Sequence, residues 1–561
     1  MTTISLGRVA LTWRGPYDAA TLYHAQDIVH FDGSAYIALV DDLIGEMPGS
    51  SPVWQLFAAG VPSSHAAPAG TLLYRDADGV IAPLVAGVAE AGHLLTLDVE
   101  GRPVWVPPGN RPALRVAALE TTFGNTNQHA RVIMENGDLR AWGNGAALQL
   151  GQGNTTVNRI YPGSVAFPPG TPPIVEVKAD SGGGAFAIDA NGDLWVWGTN
   201  TTYGNLGNAT LTNIPLPFCV TQFAHASNSL FGKSVTKVAM KATGEGLYST
   251  HVLCTDGTVH AVGYNLYGQI GDGSTTNSNV FKQVAGLSGI TDLQCGRERF
   301  TSVFALNAAG EVFSWGYGAN RILGHGGTAN QLTPLKIAAL NGITISAMSI
   351  AGQHAAFLDT QGRLYTQGTN TTYGALGTGD LANRELAVQV ASAVAKVFCF
   401  GSGAFIRTFI IRTDGTLWAC GSNVNSALGV DASTTHYPNF TQCRVSYDDG
   451  ATQVPLTDIV DVECNGHSVT VRDGQGRCYG VGAGAAGSLG VGLLDATIAW
   501  FRPVLIHSRQ VVDHAMGGTA GASITMFLLD DGQLFLCGVG TSGFNTNPLG
   551  QTIAVPAPVI F

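Results

Sequence analysis

The chain has 561 residues, a formal net charge of −11, 74 glycines and only 12% charged residues. So few charges in so long a chain require most strands to be covered on both faces. The acidic balance, with no Lys/Arg run anywhere, excludes nucleic acid or an anionic membrane as the main partner. Residues 1–7 carry no charged segment ahead of an apolar one, and no stretch reaches the ~18–20 apolar residues of a membrane span. Neither a signal peptide nor membrane insertion is therefore expected.

Residues 1–60 are read as a small β-module. Trp13, Gly15-Pro16-Tyr17, Tyr23, Asp27-Ile28-Val29, Phe31-Asp32-Gly33, Tyr36-Ile37-Ala38, Pro52 and Trp54 make a compact aromatic set. This set resembles the module of chitinase-type carbohydrate-binding domains, which recurs in phage tail fibres. Sugar-binding members carry tandem tryptophans after the Tyr-x-Ala strand. Here that place reads Leu39-Val40-Asp41-Asp42, so the resemblance implies attachment to the tail rather than sugar stacking.

Residues 61–110 are read as a linker and a short shaft. Val61 to Gly70 is linker-like, rich in Pro, Ser, Ala and Gly. Gly70-Thr71-Leu72-Leu73, Leu84-Val85-Ala86-Gly87, Gly92-His93-Leu94-Leu95 and Pro103-Val104-Trp105 follow. They are similar to shaft segments of trimeric phage tail fibres. So short a run of apolar strands cannot bury itself alone, and threefold association supplies the missing core. The expectation is a homotrimer.

Residues 111–561 repeat. Eight glycine pairs six residues apart bracket strand-like segments: Gly137/Gly143, Gly192/Gly198, Gly257/Gly263, Gly310/Gly316, Gly362/Gly368, Gly415/Gly421, Gly476/Gly482 and Gly532/Gly538. Each pair is followed by an aliphatic residue and glycine, from Leu150-Gly151 to Leu549-Gly550. Closing glycines are spaced from 52 residues (316 to 368) to 65 (198 to 263). A β-type period of this length predicts an all-β fold, a propeller of seven to eight blades with four strands per unit. Asn136-Gly137, Asn191-Gly192, Asp256-Gly257, Asp414-Gly415 and Asp531-Gly532 read as two-residue hairpin turns. A last strand at Pro558-Val559-Ile560-Phe561, paired into the first blade, is expected to close the ring and hide its edges. Of nine cysteines, Cys420 and Cys537 stand where Trp142, Trp197 and Trp315 stand in other repeats. They read as packing thiols in a protein made in a reducing cytoplasm.

The pattern Gly-x-ϕ-Trp/Tyr-x-Trp-Gly with its Leu-Gly loop resembles the repeats of the regulator of chromosome condensation family. Trp197-Gly198…Leu206-Gly207 and Trp315-Gly316…Leu323-Gly324 are the best copies. A histidine often opens the hairpin in that family, and His129, His354 and His467 are taken as its structural equivalents here. The family's namesake promotes nucleotide exchange and touches chromatin through basic elements, which this chain lacks. The same fold serves secreted bacterial β-lactamase inhibitors, so fold does not give function.

No catalytic, metal or cofactor motif stands out. Asp41-Asp42, Asp448-Asp449 and Asp530-Asp531 are adjacent acids, and neighbours on a strand point to opposite faces. Asp76-Ala77-Asp78-Gly79 lacks the downstream bidentate acid of a calcium loop. Binding surfaces remain. The long interval 421–482 holds Tyr437, Phe440, Tyr447 and Asp448, the aromatic and polar mixture of binding loops. Thr-Asn-Thr-Thr-Tyr-Gly occurs twice, placing Tyr203 and Tyr373, with Tyr267, on one rim. The modules together are similar to a phage tail fibre or receptor-binding protein. The resemblance implies a virion protein made without a signal peptide, bound to other tail or baseplate proteins through its N-terminal region. Its propeller loops would meet a host receptor (pilus, lipopolysaccharide or outer-membrane protein). A monomeric propeller adaptor or inhibitor, and a glycan-degrading tail spike, are the alternatives.

Overall fold

The computed structural model describes residues 129–559, apart from 154–155, 180–182, 201, 241–247, 297–300, 432, 449, 496, 507–508, 520–521 and 540–552, together with the backbone of nine strands between residues 12 and 121. The chain divides into two compact units, Met1–Ala113 and Leu114–Phe561. In the first, Thr12–Pro16, Asp27–Phe31, Ser34–Ala38 and Trp54–Ala58 form a four-stranded sheet in that order, the first pair parallel. Two hairpins follow, Leu73–Arg75 with Ile81–Pro83 and Leu94–Leu97 with Pro103–Val106. The side chains of these strands, and Asp76 to Gly79, lie outside the described residues.

The second unit is a ring of eight sheets, each built on four strands consecutive in sequence, with the seventh extended to six. Blades 1–8 occupy residues 116–164, 174–219, 235–283, 290–336, 345–391, 394–442, 459–503 and 511–558. At most junctions the first strands of neighbouring blades touch one another, which places them along the axis. Fully described second strands such as His129–Met134, Gly184–Asp189 and His354–Asp359 are buried at every position. Sheets stacked face to face explain how so lightly charged a chain avoids exposed apolar strands. The glycine-rich unit at Gly476–Gly482 forms a blade with its own four consecutive strands, so the count is eight.

Two expectations are corrected. The hairpin turns contain three residues, not two. In blade 1, Met134 donates its N–H to Asp138 O and Gly137 donates to Met134 O, at 2.9 and 2.8 Å. Only the glycine takes positive φ (79°), which matches a type I turn closed by a glycine bulge. Ring closure also differs. The last strand, Ile553–Pro558, pairs with Leu534–Gly538 of its own blade, and blade 1 owns four strands without it. The seam is instead side-chain packing. Ala130, Val132, Met134 and Trp142 of blade 1 meet Ile524, Met526, Leu528 and Leu536 of blade 8.

The first glycine of each pair clasps the next blade. Residue one of the next blade's first strand donates its N–H to that glycine's carbonyl at seven successive junctions. Ile174 to Gly137 at 3.0 Å and Val511 to Gly476 at 2.9 Å are the first and last. This clasp fixes the turn end of the ring; the Leu-Gly loops gather at the other end.

Candidate functional site

In blades 2, 3, 5 and 6 the Leu-Gly loop is pinned by an asparagine two residues after the closing glycine. In blade 3, Asn265 Nδ2 donates to Ser274 O and Thr276 O at 3.0 Å each, and its Oδ1 accepts the Ile270 N–H at 2.8 Å. Asn200, Asn370 and Asn423 do the same in blades 2, 5 and 6. These residues were missed in the sequence, although Gly-x-Asn at 198–200, 263–265, 368–370 and 421–423 was the available signal. A buried amide that satisfies several backbone groups makes a loop rigid enough to present side chains.

What the loops of blades 2–4 present is tyrosine. Tyr203 of blade 2 meets Tyr264 of blade 3 edge to face, ring centroids 4.8 Å apart. Tyr264 meets Tyr267 at 6.2 Å, and Tyr267 meets Tyr317 of blade 4 at 5.0 Å. Four rings thus form a ladder across two blade junctions. Each such contact contributes about 0.5–1.5 kcal/mol beyond area burial. Tyr264 is buried and the other three are half-buried. Leu266, next to Tyr267, is 55% exposed, and Leu211, beside Gly204, is 54% exposed. The surface is apolar and aromatic, with the Arg321–Glu385 ion pair (3.1 Å) on blades 4 and 5.

Of the sequence candidates, Tyr203 and Tyr267 are therefore brought together. Tyr373 is not. It repeats the Tyr203 hexapeptide, but the residue after the closing glycine of blade 6 is Ser422, which offers no ring. Tyr437 and Phe440 lie in the fourth strand of blade 6, His436–Gln442, rather than on a projecting loop. Tyr437 donates its hydroxyl to Asp431, and Phe440 is packed against the glycine of Leu376-Gly377. Their rings are committed to the blade. Tyr447 is 65% exposed, and Asp448 caps a turn by accepting from Ser446 Oγ and the Thr452 N–H at 3.0 and 2.8 Å. Those two residues belong to an insertion whose strands, Arg444–Val445 and Val454–Pro455, extend blade 7 to six strands. Among the adjacent acids, Asp530 and Asp531 flank Arg509 at 3.8 and 3.5 Å.

The histidines are structural. His129 and His354 open their second strands and are fully buried. His354 Nε2 lies 2.8 Å from Thr408 Oγ1 of blade 6. His467 is not their equivalent: Ser468 pairs with the closing glycine of its blade, and His467 stands one residue earlier, half-buried. His251 was passed over in the sequence. It is buried in blade 3 with Nε2 2.8 Å from Gln269 O. Burial pushes its pKa, and that of His354, down to about 4. Among the described residues no group of three His, Cys, Asp or Glu could hold a metal, and no helix is long and apolar enough to cross a membrane.

Residues 309–358 match the profile of the Regulator of chromosome condensation (RCC1) repeat. That span runs from one hairpin turn to the next, so the sequence repeat straddles two blades: the outer half of blade 4 and the inner half of blade 5. The chain is 25% identical over 374 residues to the Ultraviolet-B receptor UVR8 of Arabidopsis thaliana, covering 65% of this chain and 77% of that protein. It is 29% identical over 262 residues to the human E3 ubiquitin-protein ligase HERC2, covering 45% of this chain but only 5% of the ligase. The crystal structure of human WBSCR16 superimposes with a TM-score of 0.51 at 17% identity, covering 68% of this chain and 97% of that one. By repeat and by fold, residues 114–561 are an RCC1-like repeat propeller.

Proposed function

We propose that the chain is a non-catalytic recognition protein whose propeller docks a macromolecular partner on the tyrosine ladder of blades 2–4. The ladder is the observation that carries this reading. Amphipathic rings packed on one another, with the loops of blades 2 and 3 pinned beneath them, offer contact area at low entropic cost, the composition that interface hot spots favour. The same repeat fold serves a light receptor and a small part of a ubiquitin ligase, so it is a scaffold whose activity depends on the site grafted onto it.

In its finer form the reading makes the chain a bacteriophage receptor-binding protein. The resemblances of residues 1–60 and 61–110 support it: the first would attach to the tail or baseplate, the second would assemble three chains. The receptor is then a pilus, lipopolysaccharide or outer-membrane protein. Three propellers per fibre would turn weak single contacts into firm adsorption through effective concentration. The test is adsorption of the labelled chain to intact bacteria, with its mass in solution measured by light scattering. A trimer that adsorbs, and adsorbs at least about tenfold less after Tyr203→Ser with Tyr267→Ser, is expected. A monomer that ignores cells and binds a soluble protein through the same tyrosines would leave the adaptor reading in place. Adsorption indifferent to both substitutions would overturn the assignment of the ladder.

A further inference from the structure

The inserted strands of blade 7 build a second feature, on the turn end of the ring and away from the tyrosine ladder. A cleft of about 240 Å³ opens there between blades 7 and 8, lined by Tyr447, Arg477, Tyr479, Pro503, Ile506 and Arg509 among others. Its polar groups are held in place. Asp473 is buried at the end of its strand, accepts the N–H groups of Gln475 and Arg477 on Oδ1, and on Oδ2 takes Arg477 Nε at 2.6 Å and the Tyr479 hydroxyl at 3.2 Å. Arg509 is positioned from the blade 8 side by Asp530 and Asp531. Tyr447 completes the wall from the insertion.

Two arginines facing three carboxylates leave no net positive charge, so the cleft does not suit a free anion. What its wall offers is guanidinium N–H donors and phenol oxygens that can donate or accept, the carboxylates behind it being taken up in holding Arg477, Tyr479 and Arg509. A sugar hydroxyl both donates and accepts and is matched by such a wall. The apolar edge made by Pro503, Val504 and Ile506, with the Tyr447 ring, suits the C–H face of a pyranose. The volume lies below the ~300 Å³ of pockets for drug-sized ligands, which limits the occupant to a single unit. We propose that this cleft binds one neutral hexose unit of a glycan, with Tyr447 as stacking ring and Arg477 and Arg509 as hydroxyl donors.

One sugar unit held by a few hydrogen bonds binds weakly, and multiple copies along a glycan would supply the avidity. The test is saturation-transfer NMR on the full chain with glucose, galactose, mannose and N-acetylglucosamine, and with glucuronate and inorganic phosphate as anionic probes. At least one neutral hexose is expected to bind, and Tyr447→Ala and Arg509→Ala should each weaken it at least about tenfold. Both side chains are more than half exposed, so an unchanged melting temperature verifies that each variant folds. Binding of phosphate or glucuronate in preference to every hexose would make the cleft an anion site and overturn the proposal. So would the absence of any hexose signal, or a signal that both substitutions leave intact.

Discussion

Single positions in this ring work in pairs across blade junctions. Where the residue before a closing glycine carries a donor, it reaches back to a carbonyl in the loop of the preceding blade. Trp197 Nε1 donates to Gln149 O at 3.0 Å and Trp315 Nε1 to Gln269 O at 2.9 Å. Where the tryptophan is a cysteine, the thiol of Cys420 or Cys537 takes over the contact, to Ala375 O at 3.4 Å and Ser488 O at 3.3 Å. The packing role expected of those thiols thus includes a donor role. The loop glycine is part of the same joint: at Gly271 (φ 75°) an added methyl would stand 2.7 Å from Trp315 Nε1. At the same joint, His251 bonds the Gln269 carbonyl from its own blade, with Cys295 Sγ 3.4 Å from its Nδ1. His251 and His354 are held neutral by burial, with folded pKa values of about 4 against about 6.5 when unfolded. The unfolded chain therefore takes up protons first as pH falls. Their contribution is complete above pH ~6.5 and declines toward pH ~4, by up to about 3 kcal/mol per histidine. Melting temperatures measured across that window should fall with acid, and more gently in a His251→Gln, His354→Gln variant. An equal slope in the variant would place the acid sensitivity elsewhere.

At the scale of the blade, the third and fourth strands divide one volume between them. The fourth-strand residue three beyond the partner of the closing glycine faces the same joint as the residue before that glycine. It is Pro162, Pro217 and Pro334 where the third strand carries Trp142, Trp197 and Trp315, and Phe281, Phe440 and Phe501 where it carries Val262, Cys420 and Val481. Large and small alternate because the space above the loop glycine admits one ring: Trp197 over Gly151, Phe281 over Gly207. Blade 5 (Gln367 with Ala387) and blade 8 (Cys537 with Pro556) depart from the pattern. The expected outcome of Trp315→Val is a loss of about 3 kcal/mol, with about half recovered on adding Pro334→Phe. A denaturant double-mutant cycle measures it, and strictly additive effects would show that the two positions do not share the space. This sharing is also why Phe440, aromatic and beside polar residues in sequence, reads as a binding residue yet serves the core.

For the whole ring, closure without a shared strand leaves the blade 1–blade 8 seam to side-chain packing. Met526 and Trp142 are fully buried there. Removing residues 553–561 should therefore open the edge of blade 8 while leaving blade 1 intact. Amide hydrogen exchange is expected to show lost protection in Leu534–Gly538 and unchanged protection in Leu139–Gly143. Lost protection in blade 1 would point to the shared-strand closure that the ends of the sequence suggest. What the amino-acid sequence determined by itself was the repeat: spaced glycines, turn dipeptides and Leu-Gly loops are local signals, tied to backbone conformation and close approach, and they give a propeller of seven to eight blades, the structure fixing eight. Ring closure, the division of each joint between tryptophan and phenylalanine, the tyrosine ladder and the cleft beside Tyr447 were decided only by the tertiary structure. Each joins residues tens of positions apart, Tyr203 with Tyr264 or Tyr447 with Arg509. No local pattern records which blade faces will meet, because that is settled by packing across the junction.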